Sequence, residues 1–130
     1  MILLDTHIWL WWTHGDENLP IEYFQLLQQR ESEGLGVSVI SCWEIAKLVE
    51  YNRLTLPYSV NEWFKIALSY PNIKLLNLSS EIAIESTQLP KPFHKDPTDQ
   101  IIVATARIYD CPLITVDSKI CSYPYVALLP

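Results

Sequence analysis

The chain has 130 residues, 49% of them hydrophobic and only three of them glycine, so its composition excludes a disordered protein and indicates a compact globular one. No apolar run approaches the roughly 20 residues of a membrane-spanning helix, and the first residues lack the basic and apolar segments of a secretory signal, so we expect a cytoplasmic protein. The formal net charge of −6 argues against binding nucleic acid by bulk electrostatics alone and suits a protein that binds cations or a basic partner.

The first half of the chain alternates apolar runs with helical patterns. We predict a strand over residues 2–4, helices over 6–14 and 21–33, a strand over 37–40, and helices over 41–51 and 60–70. Pro20 suits a first helical position, and Gly34 and Gly36 are expected to end the second helix. Ser41 and Glu44 have the spacing of a capping box, so the helix after the second strand is expected to begin there.

The second half of the chain continues the alternation. We predict a strand over residues 73–78, a helix over 79–88, a loop over 89–95, a helix from 97 onward, and strands over 113–116 and 126–129. Asp96 is expected to cap the long helix, with Pro97 at its first position and Asp99 in its first turn. Asp117 is expected to cap a short helix. Strands that alternate with helices predict an α/β fold with a mainly parallel sheet.

Four carboxylates occupy equivalent positions in this pattern, each near the start of a helix: Asp5, Glu44, Asp99 and Asp117. In a parallel sheet three of them face the same edge, and Asp99 joins them if its helix also starts there. Taken singly, each is explained as a helix cap, because carboxylates are favoured at helix N-termini. Together they repel one another, and a divalent cation relieves that repulsion. Oxygen ligands without a matching histidine or cysteine set favour Mg²⁺, with Mn²⁺ as the alternative.

Polar residues beside these carboxylates have two interpretations each. Thr6 and Thr115 either orient a carboxylate or a bound water as outer partners of the metal, or serve as ordinary cap and strand residues. Asp96 is interpreted mainly as a cap, with contact to the site as the alternative. His94 is interpreted as a loop residue in preference to a general base.

The four acidic segments resemble those of VapC-type PIN domains, which are the ribonuclease toxins of type II toxin–antitoxin systems. The segments are residues 4–12, 38–46, 94–106 and 113–117. A single short string such as Asp-Thr would be a weak signal, whereas the four in this order extend over nearly the whole chain.

The resemblance implies a single PIN domain over residues 1–130, with a three-layer α/β/α fold around a central, mainly parallel sheet. It also implies a magnesium-dependent endoribonuclease that hydrolyses RNA phosphodiester bonds and leaves a 5′-phosphate and a 3′-hydroxyl. By matching segments, the catalytic, metal-binding carboxylates are Asp5, Glu44, Asp99 and Asp117. The family further implies a homodimer and a cognate, VapB-like antitoxin that covers the acidic site.

Two positions depart from the family pattern. Gln100 stands where many relatives have arginine, which removes a cation beside the site and puts substrate contacts in doubt, although not the metal ligands. Asn52 stands where a glycine often precedes Arg-Leu, and asparagine tolerates the positive φ that such a position uses. Three lysines near the acidic segments are candidates for contact with the RNA backbone, the alternative being solvated surface residues: Lys47, Lys95 and Lys119.

Two other functions fit parts of the sequence. A PIN nuclease that processes RNA outside a toxin pair carries the same acids. A receiver-like binding module also has an acidic pocket, but it needs paired acids after its first strand, where this chain has Asp5 alone. Such a module also needs a lysine on a separate strand, whereas Lys119 here directly follows the Asp117 segment.

Overall fold

Five short parallel strands form one sheet in the structure, a computed structural model that describes all 130 residues. The strands are β1 (Ile2–Leu4), β2 (Leu35–Ser38), β3 (Ile73–Leu76), β4 (Leu113–Ile114) and β5 (Leu128–Leu129). Their order across the sheet is β3-β2-β1-β4-β5, and every neighbouring pair is parallel. The predicted α/β class with a parallel sheet is therefore confirmed.

Seven helices connect the strands. They are α1 (Thr6–His14), α2 (Ile21–Arg30), α3 (Val39–Glu50), α4 (Val60–Ala67), α5 (Ser80–Ser86), α6 (Pro97–Tyr109) and α7 (Ser118–Cys121), with a 3₁₀ turn over Glu31–Glu33. None of these helices has both the length and the apolar character needed to cross a membrane.

The residues of β1 alternate between two hydrophobic cores, one on each face of the sheet. Ile2 and Leu4 belong to a core that also contains residues of α1, α2, α3 and α4. Leu3 belongs to a second core with residues of α5, α6 and α7. Successive side chains of a strand point to opposite faces, so this division places helices on both sides of the sheet. The expected three-layer α/β/α arrangement is confirmed.

The predicted start of α3 was wrong. The strand ends at Ser38, not at residue 40, and the Ser38 hydroxyl accepts a hydrogen bond from the Ile40 amide at 3.1 Å as the helix cap. Val39 and Ile40 therefore belong to the helix despite their β-branched side chains, because tertiary packing overrides their weak strand preference. Ser41 and Glu44 do not form a capping box, and Glu44 lies more than one turn inside α3.

The strands near the C-terminus are shorter than predicted. Strand β4 ends at Ile114, whose carbonyl accepts the Asp5 amide, and not at residue 116. Thr115 and Val116 then lead into α7, which Asp117 caps as predicted by accepting the amides of Lys119 and Ile120. Thr115 therefore lies just past the end of β4, beside Asp5 at the end of the neighbouring strand β1.

Gly36 does not end a helix, as the sequence suggested, but lies within β2. A Cβ at this position would lie 3.0 Å from Leu76 Cδ1 and 3.2 Å from Met1 Sδ. The glycine thus allows β3 and the N-terminus to approach β2 closely.

We expect Gly36→Ala to lower the free energy of unfolding by about 1–3 kcal/mol, because the added methyl group overpacks this contact. Urea denaturation of the metal-free protein measures the change. Ser32→Ala, in the exposed 3₁₀ turn, is the control and should stay within about 0.5 kcal/mol of the wild type. Equal stability of the two variants would show that Leu76 and Met1 move aside without cost.

Candidate active site

The carboxyl edge of the sheet collects all four predicted acidic residues. Asp5 directly follows β1, Asp117 follows β4, and Glu44 lies on the helix that follows β2. Helix α6 precedes the parallel strand β4, so it runs back across the sheet and begins at the same edge with Asp99 in its first turn. The condition that the sequence left open for Asp99 is therefore met, and the edge is where parallel α/β sheets bind ligands.

Asp5 is held on both of its carboxylate oxygens. Its Oδ1 accepts the Thr6 amide at 2.8 Å, and its Oδ2 accepts the Thr115 hydroxyl at 2.5 Å. The Thr115 hydroxyl oxygen in turn accepts the Asp117 amide at 3.0 Å. This chain of bonds connects the end of β1 to the turn that carries Asp117. Thr115 thereby orients one acidic residue directly and places a second one.

Burial raises the pKa of Asp5, although the hydrogen bonds from Thr115 and Thr6 act in the opposite direction. The free-energy cost of removing this carboxylate from water is thus larger than the stabilisation from its two hydrogen bonds. A nearby positive charge would therefore stabilise the ionised form of Asp5.

Glu44 faces the start of α1 from α3. The Thr6 hydroxyl donates to Ser41 Oγ at 2.8 Å, and both of these side chains are buried. Burial raises the pKa of Glu44, the neighbouring Thr6 hydroxyl lowers it, and the Asp5 carboxylate raises it further. Ser41 was predicted only to cap α3, and no local signal indicated its bond to Thr6, which is 35 positions away in the chain.

Asp99 has a pKa far above that of an ordinary aspartate. Burial raises its pKa to about 7, and the charges of the surrounding carboxylates add to the effect: Asp96, Asp5, Asp117 and Glu44. Its side chain is 16% exposed. The other three predicted site residues therefore all act on Asp99, which means that the four carboxylates share one electrostatic environment.

Asp96 serves as the cap of α6, as its main interpretation predicted. Its Oδ1 accepts the amides of Thr98 at 2.9 Å and Asp99 at 3.4 Å. Its charge nevertheless raises the pKa of Asp99. Asp96 is thus a structural residue that also contributes to the negative potential of the site.

His94 lies in the loop before α6, as predicted, but its ring is part of the acidic cluster. Its Nε2 lies 3.1 Å from Asp99 Oδ2. One potential ligand atom from each of His94, Asp99 and Asp117 lies within 4.8 Å of the others. The position of His94 beside the acids was not predicted, and the only sequence signal was that His94 precedes the Asp96 cap by two residues.

The three lysines proposed for RNA contact differ in their surroundings. The Lys47 Nζ lies 2.8 Å from Glu50 Oε1 and 5.4 Å from the centre of the Tyr51 ring, so this lysine is engaged within α3. Lys95 and Lys119 are exposed and form no ion pair. They flank the carboxylates, because Lys95 precedes Asp96 and Lys119 lies in the first turn of α7 after Asp117.

The residues present fit a hard divalent cation. The cluster offers carboxylate oxygens, which Mg²⁺ and Mn²⁺ prefer, and it contains no cysteine. Burial raises the pKa values of Asp5, Glu44 and Asp99, and neighbouring carboxylates raise each of them further. A cation bound between them offsets that repulsion, which is the electrostatic condition of a metal site.

Asp99 should make the metal-free protein less stable as the pH rises from about 4 to about 7. The unfolded carboxyl loses its proton near the ordinary pKa of 3.8, whereas the folded one keeps it up to about 7. Between these values the folded state binds more protons, so the free energy of unfolding falls as pH increases. Thermal unfolding in EDTA across this range measures the slope.

Asp99→Asn should flatten that slope and raise stability at pH 7. Asp110→Asn, at the other end of α6, removes the same charge far from the cluster and should leave the slope as it is. An unchanged slope in Asp99→Asn would mean that the carboxyl titrates normally and is not crowded by the other acids.

The profile of the PIN domain family matches residues 2–124 of the chain. The chain therefore belongs to the PIN domain family, and the recognition made from its four acidic segments is confirmed. Among characterised proteins it is similar to Ribonuclease VapC22 of Mycobacterium tuberculosis (strain ATCC 25618 / H37Rv). The two are 29% identical over 122 residues, which cover 94% of this chain and 91% of the relative.

Solved structures agree with this assignment of the fold. The crystal structure of VapBC2 from Rickettsia felis, bound to a DNA fragment from their promoter, matches with a TM-score of 0.70 at 19% identity, covering 99% of this chain and 98% of that one. A toxin–antitoxin complex from Klebsiella pneumoniae matches with a TM-score of 0.68 at 23% identity, covering 100% of this chain and 97% of that one. The PIN-like architecture predicted from the sequence is thereby confirmed.

Proposed function

We propose that the protein is a divalent-metal-dependent endoribonuclease in which Asp5, Glu44, Asp99 and Asp117 form the active site. The convergence of these four acids on the carboxyl edge of a PIN fold, where each of the other three raises the pKa of Asp99, carries the proposal. Membership of the PIN family and similarity to a VapC ribonuclease support the class of reaction.

The acidic side chains have separate tasks in this proposal. Asp5, fixed by Thr6 and Thr115, provides a rigid oxygen on the central strand, and Asp117 and Asp99 approach from the neighbouring elements. Mg²⁺ or Mn²⁺ held there supplies Lewis acidity and positive charge opposite the phosphodiester group. Thr115 and Thr6 preserve the orientation of Asp5 when substrate binds, which is the outer-partner role that the sequence offered as one alternative.

Exposed lysines beside the cluster offer contacts for the RNA backbone. Lys95 and Lys119 are free of ion pairs and flank the acids, whereas Lys47 is paired with Glu50. The protein carries a net charge of −6, so local cations and the bound metal must offset the repulsion between protein and RNA. We therefore assign backbone contact to Lys95 and Lys119 ahead of Lys47.

Cleavage of a single-stranded RNA with defined ends tests the activity. The purified protein with Mg²⁺ should cut internally and release fragments with a 5′-phosphate and a 3′-hydroxyl. The Asp117→Asn variant, purified in the same way, controls for contaminating nuclease and should be inactive. Equal cleavage by this variant, or fragments that end in a 2′,3′-cyclic phosphate, would contradict the proposed chemistry.

We also propose that the protein is the toxin of a type II toxin–antitoxin pair, acting in the cytoplasm as a homodimer and neutralised by a VapB-like antitoxin. The similarity to Ribonuclease VapC22 and the fold shared with toxin–antitoxin complexes support this assignment. A basic antitoxin segment suits the acidic edge, because arginine pairs strongly with carboxylates.

Induced expression distinguishes a toxin from a nuclease that processes RNA outside such a pair. A toxin should arrest growth unless a small protein encoded beside it is expressed as well. Cells that grow normally while the active nuclease accumulates would favour the processing role.

A further inference from the structure

His94 has a ring nitrogen that the metal site described above leaves unexplained. Its Nε2 is buried and has no aligned hydrogen-bond partner, although Asp99 Oδ2 lies only 3.1 Å away. Direction, and not distance, therefore keeps this pair from being a full hydrogen bond. A buried polar atom without a partner is costly, so a position like this calls for a functional reason.

The other ring nitrogen determines what Nε2 can do. His94 Nδ1 accepts the backbone amide of Asp96 at 3.3 Å, which requires a free electron pair on Nδ1. In the neutral ring the proton then lies on Nε2. An Nε2–H group is a donor and does not bind a cation, so this hydrogen bond argues against His94 as a third ligand beside Asp99 and Asp117, although its distance to them would allow it.

The loop that carries His94 is fixed against the start of α6. The Gln100 side-chain amide donates to the His94 carbonyl at 3.0 Å, and the Phe93 ring lies 4.5 Å from the His94 ring, centre to centre. Gln100 is the residue that replaces the arginine of many relatives, and here it anchors this loop. The imidazole is thus held from its backbone, from its Nδ1 and from one face, with Nε2 close to the Asp99 carboxylate.

We infer that His94 is a positioning residue: its Nε2–H group, 3.1 Å from Asp99 Oδ2 but out of line with it here, turns to donate to that carboxylate and orients it when a divalent cation binds. Donors to carboxylate ligands fix their orientation, and loss of such a partner typically weakens metal binding about 10–100-fold. The inference rests on the proposed function, because it assumes that Asp99 binds the metal.

Two substitutions distinguish the contribution of His94 Nε2 from that of His94 Nδ1. Gln places an amide donor near the position of Nε2, so His94→Gln should bind Mn²⁺ within about threefold of the wild type. Asn places its polar atoms near the position of Nδ1 and does not reach Asp99, so His94→Asn should bind Mn²⁺ about 10-fold more weakly or worse. Calorimetric titration with Mn²⁺ alone, without RNA, measures both affinities.

Electron spin-echo spectroscopy of bound Mn²⁺ tests the protonation argument independently. The wild-type protein should show no coupling to a directly bonded imidazole nitrogen. A nitrogen coupling that disappears in His94→Gln would make His94 a ligand and overturn the positioning role. Equal Mn²⁺ affinity of His94→Asn and the wild type would overturn it as well, as would a failure of His94→Gln to restore binding.

Failure of this inference is distinguishable from failure of the proposed function. Asp99→Asn, titrated in parallel, should lose most of its Mn²⁺ affinity. If Asp99→Asn binds Mn²⁺ like the wild type, the proposed metal site itself is wrong. If Asp99→Asn loses binding while His94→Asn keeps it, only the role of His94 is rejected. Urea denaturation in EDTA should give the two His94 variants the same stability, so a difference in affinity does not reflect folding.

Discussion

Asp5→Asn is expected to reduce RNA cleavage by more than about 100-fold, because loss of even an outer partner of a metal ligand costs 10–100-fold. The variant should still fold. Asparagine accepts the Thr6 amide as a helix cap as well as aspartate does, and its own amide can donate to the Thr115 hydroxyl oxygen. Removal of a carboxylate whose pKa is raised by burial also removes an unfavourable charge from the metal-free protein.

Cleavage rates at saturating Mg²⁺ and melting temperatures in EDTA test both parts of this expectation. Asp110→Asn, which removes a charge at the far end of α6, should cleave RNA at the wild-type rate. Cleavage by Asp5→Asn within about threefold of the wild type would remove Asp5 from the active site. A lower melting temperature than that of the wild type would show that the ionised carboxylate stabilises the fold.

Removal of divalent metal is expected to abolish cleavage and to lower stability together. EDTA should stop the reaction, and an excess of Mg²⁺ or Mn²⁺ should restore it. At neutral pH burial and neighbouring carboxylates raise the pKa values of Asp5, Glu44 and Asp99, so a bound cation relieves repulsion in the folded state alone. At about 100 times the Kd, this binding should add about 2.7 kcal/mol to the free energy of unfolding.

Melting curves with increasing Mn²⁺ measure the stabilisation, and the same samples serve for the cleavage assay. Asp99→Asn is the matched control and should be stabilised far less at each concentration. Cleavage that continues in EDTA would defeat the metal mechanism. A melting temperature that is independent of Mn²⁺ would mean that the folded protein holds no cation at this edge.

Local chemistry made much of the fold predictable from the sequence. The Asp96-Pro97 pair identifies the start of α6, because aspartate caps a helix and proline suits its first position. Asp117 identifies the start of α7 by the same logic. Asn52 ends the segment after α3 with a φ of 59°, as its tolerance of the left-handed region suggested. Such signals depend only on neighbouring residues, so they can be recognised without knowledge of the tertiary structure.

Competition between local signals misplaced the start of α3. Ser38 and Ser41 are both plausible caps, and the β-branched residues between them favoured a strand. In the structure Ser38 caps the helix while Ser41 is buried against Thr6. The choice depends on the packing of α3 against α1, which no short window of sequence contains.

The acidic site was only partly visible in the sequence. Segment order indicated which carboxylates could meet, because parallel strands present their carboxyl ends at one edge. Thr115 was predicted, as one alternative, to orient a carboxylate, but no signal in the sequence indicated that its bond would be to Asp5, which lies 110 positions away. The approach of the His94 ring to Asp99 depends on Gln100 and on the path of one loop. Contacts of that kind follow from the completed fold.

Anomalous diffraction from crystals grown with Mn²⁺ tests the central claim most directly. The claim is that Asp5, Glu44, Asp99 and Asp117 surround a common cation at the carboxyl edge of the sheet. We expect a strong anomalous peak within bonding distance of carboxylate oxygens of Asp5, Asp99 or Asp117, with Glu44 facing it directly or through water. Well-ordered Mn²⁺ bound elsewhere, with no peak between these carboxylates, would contradict the account.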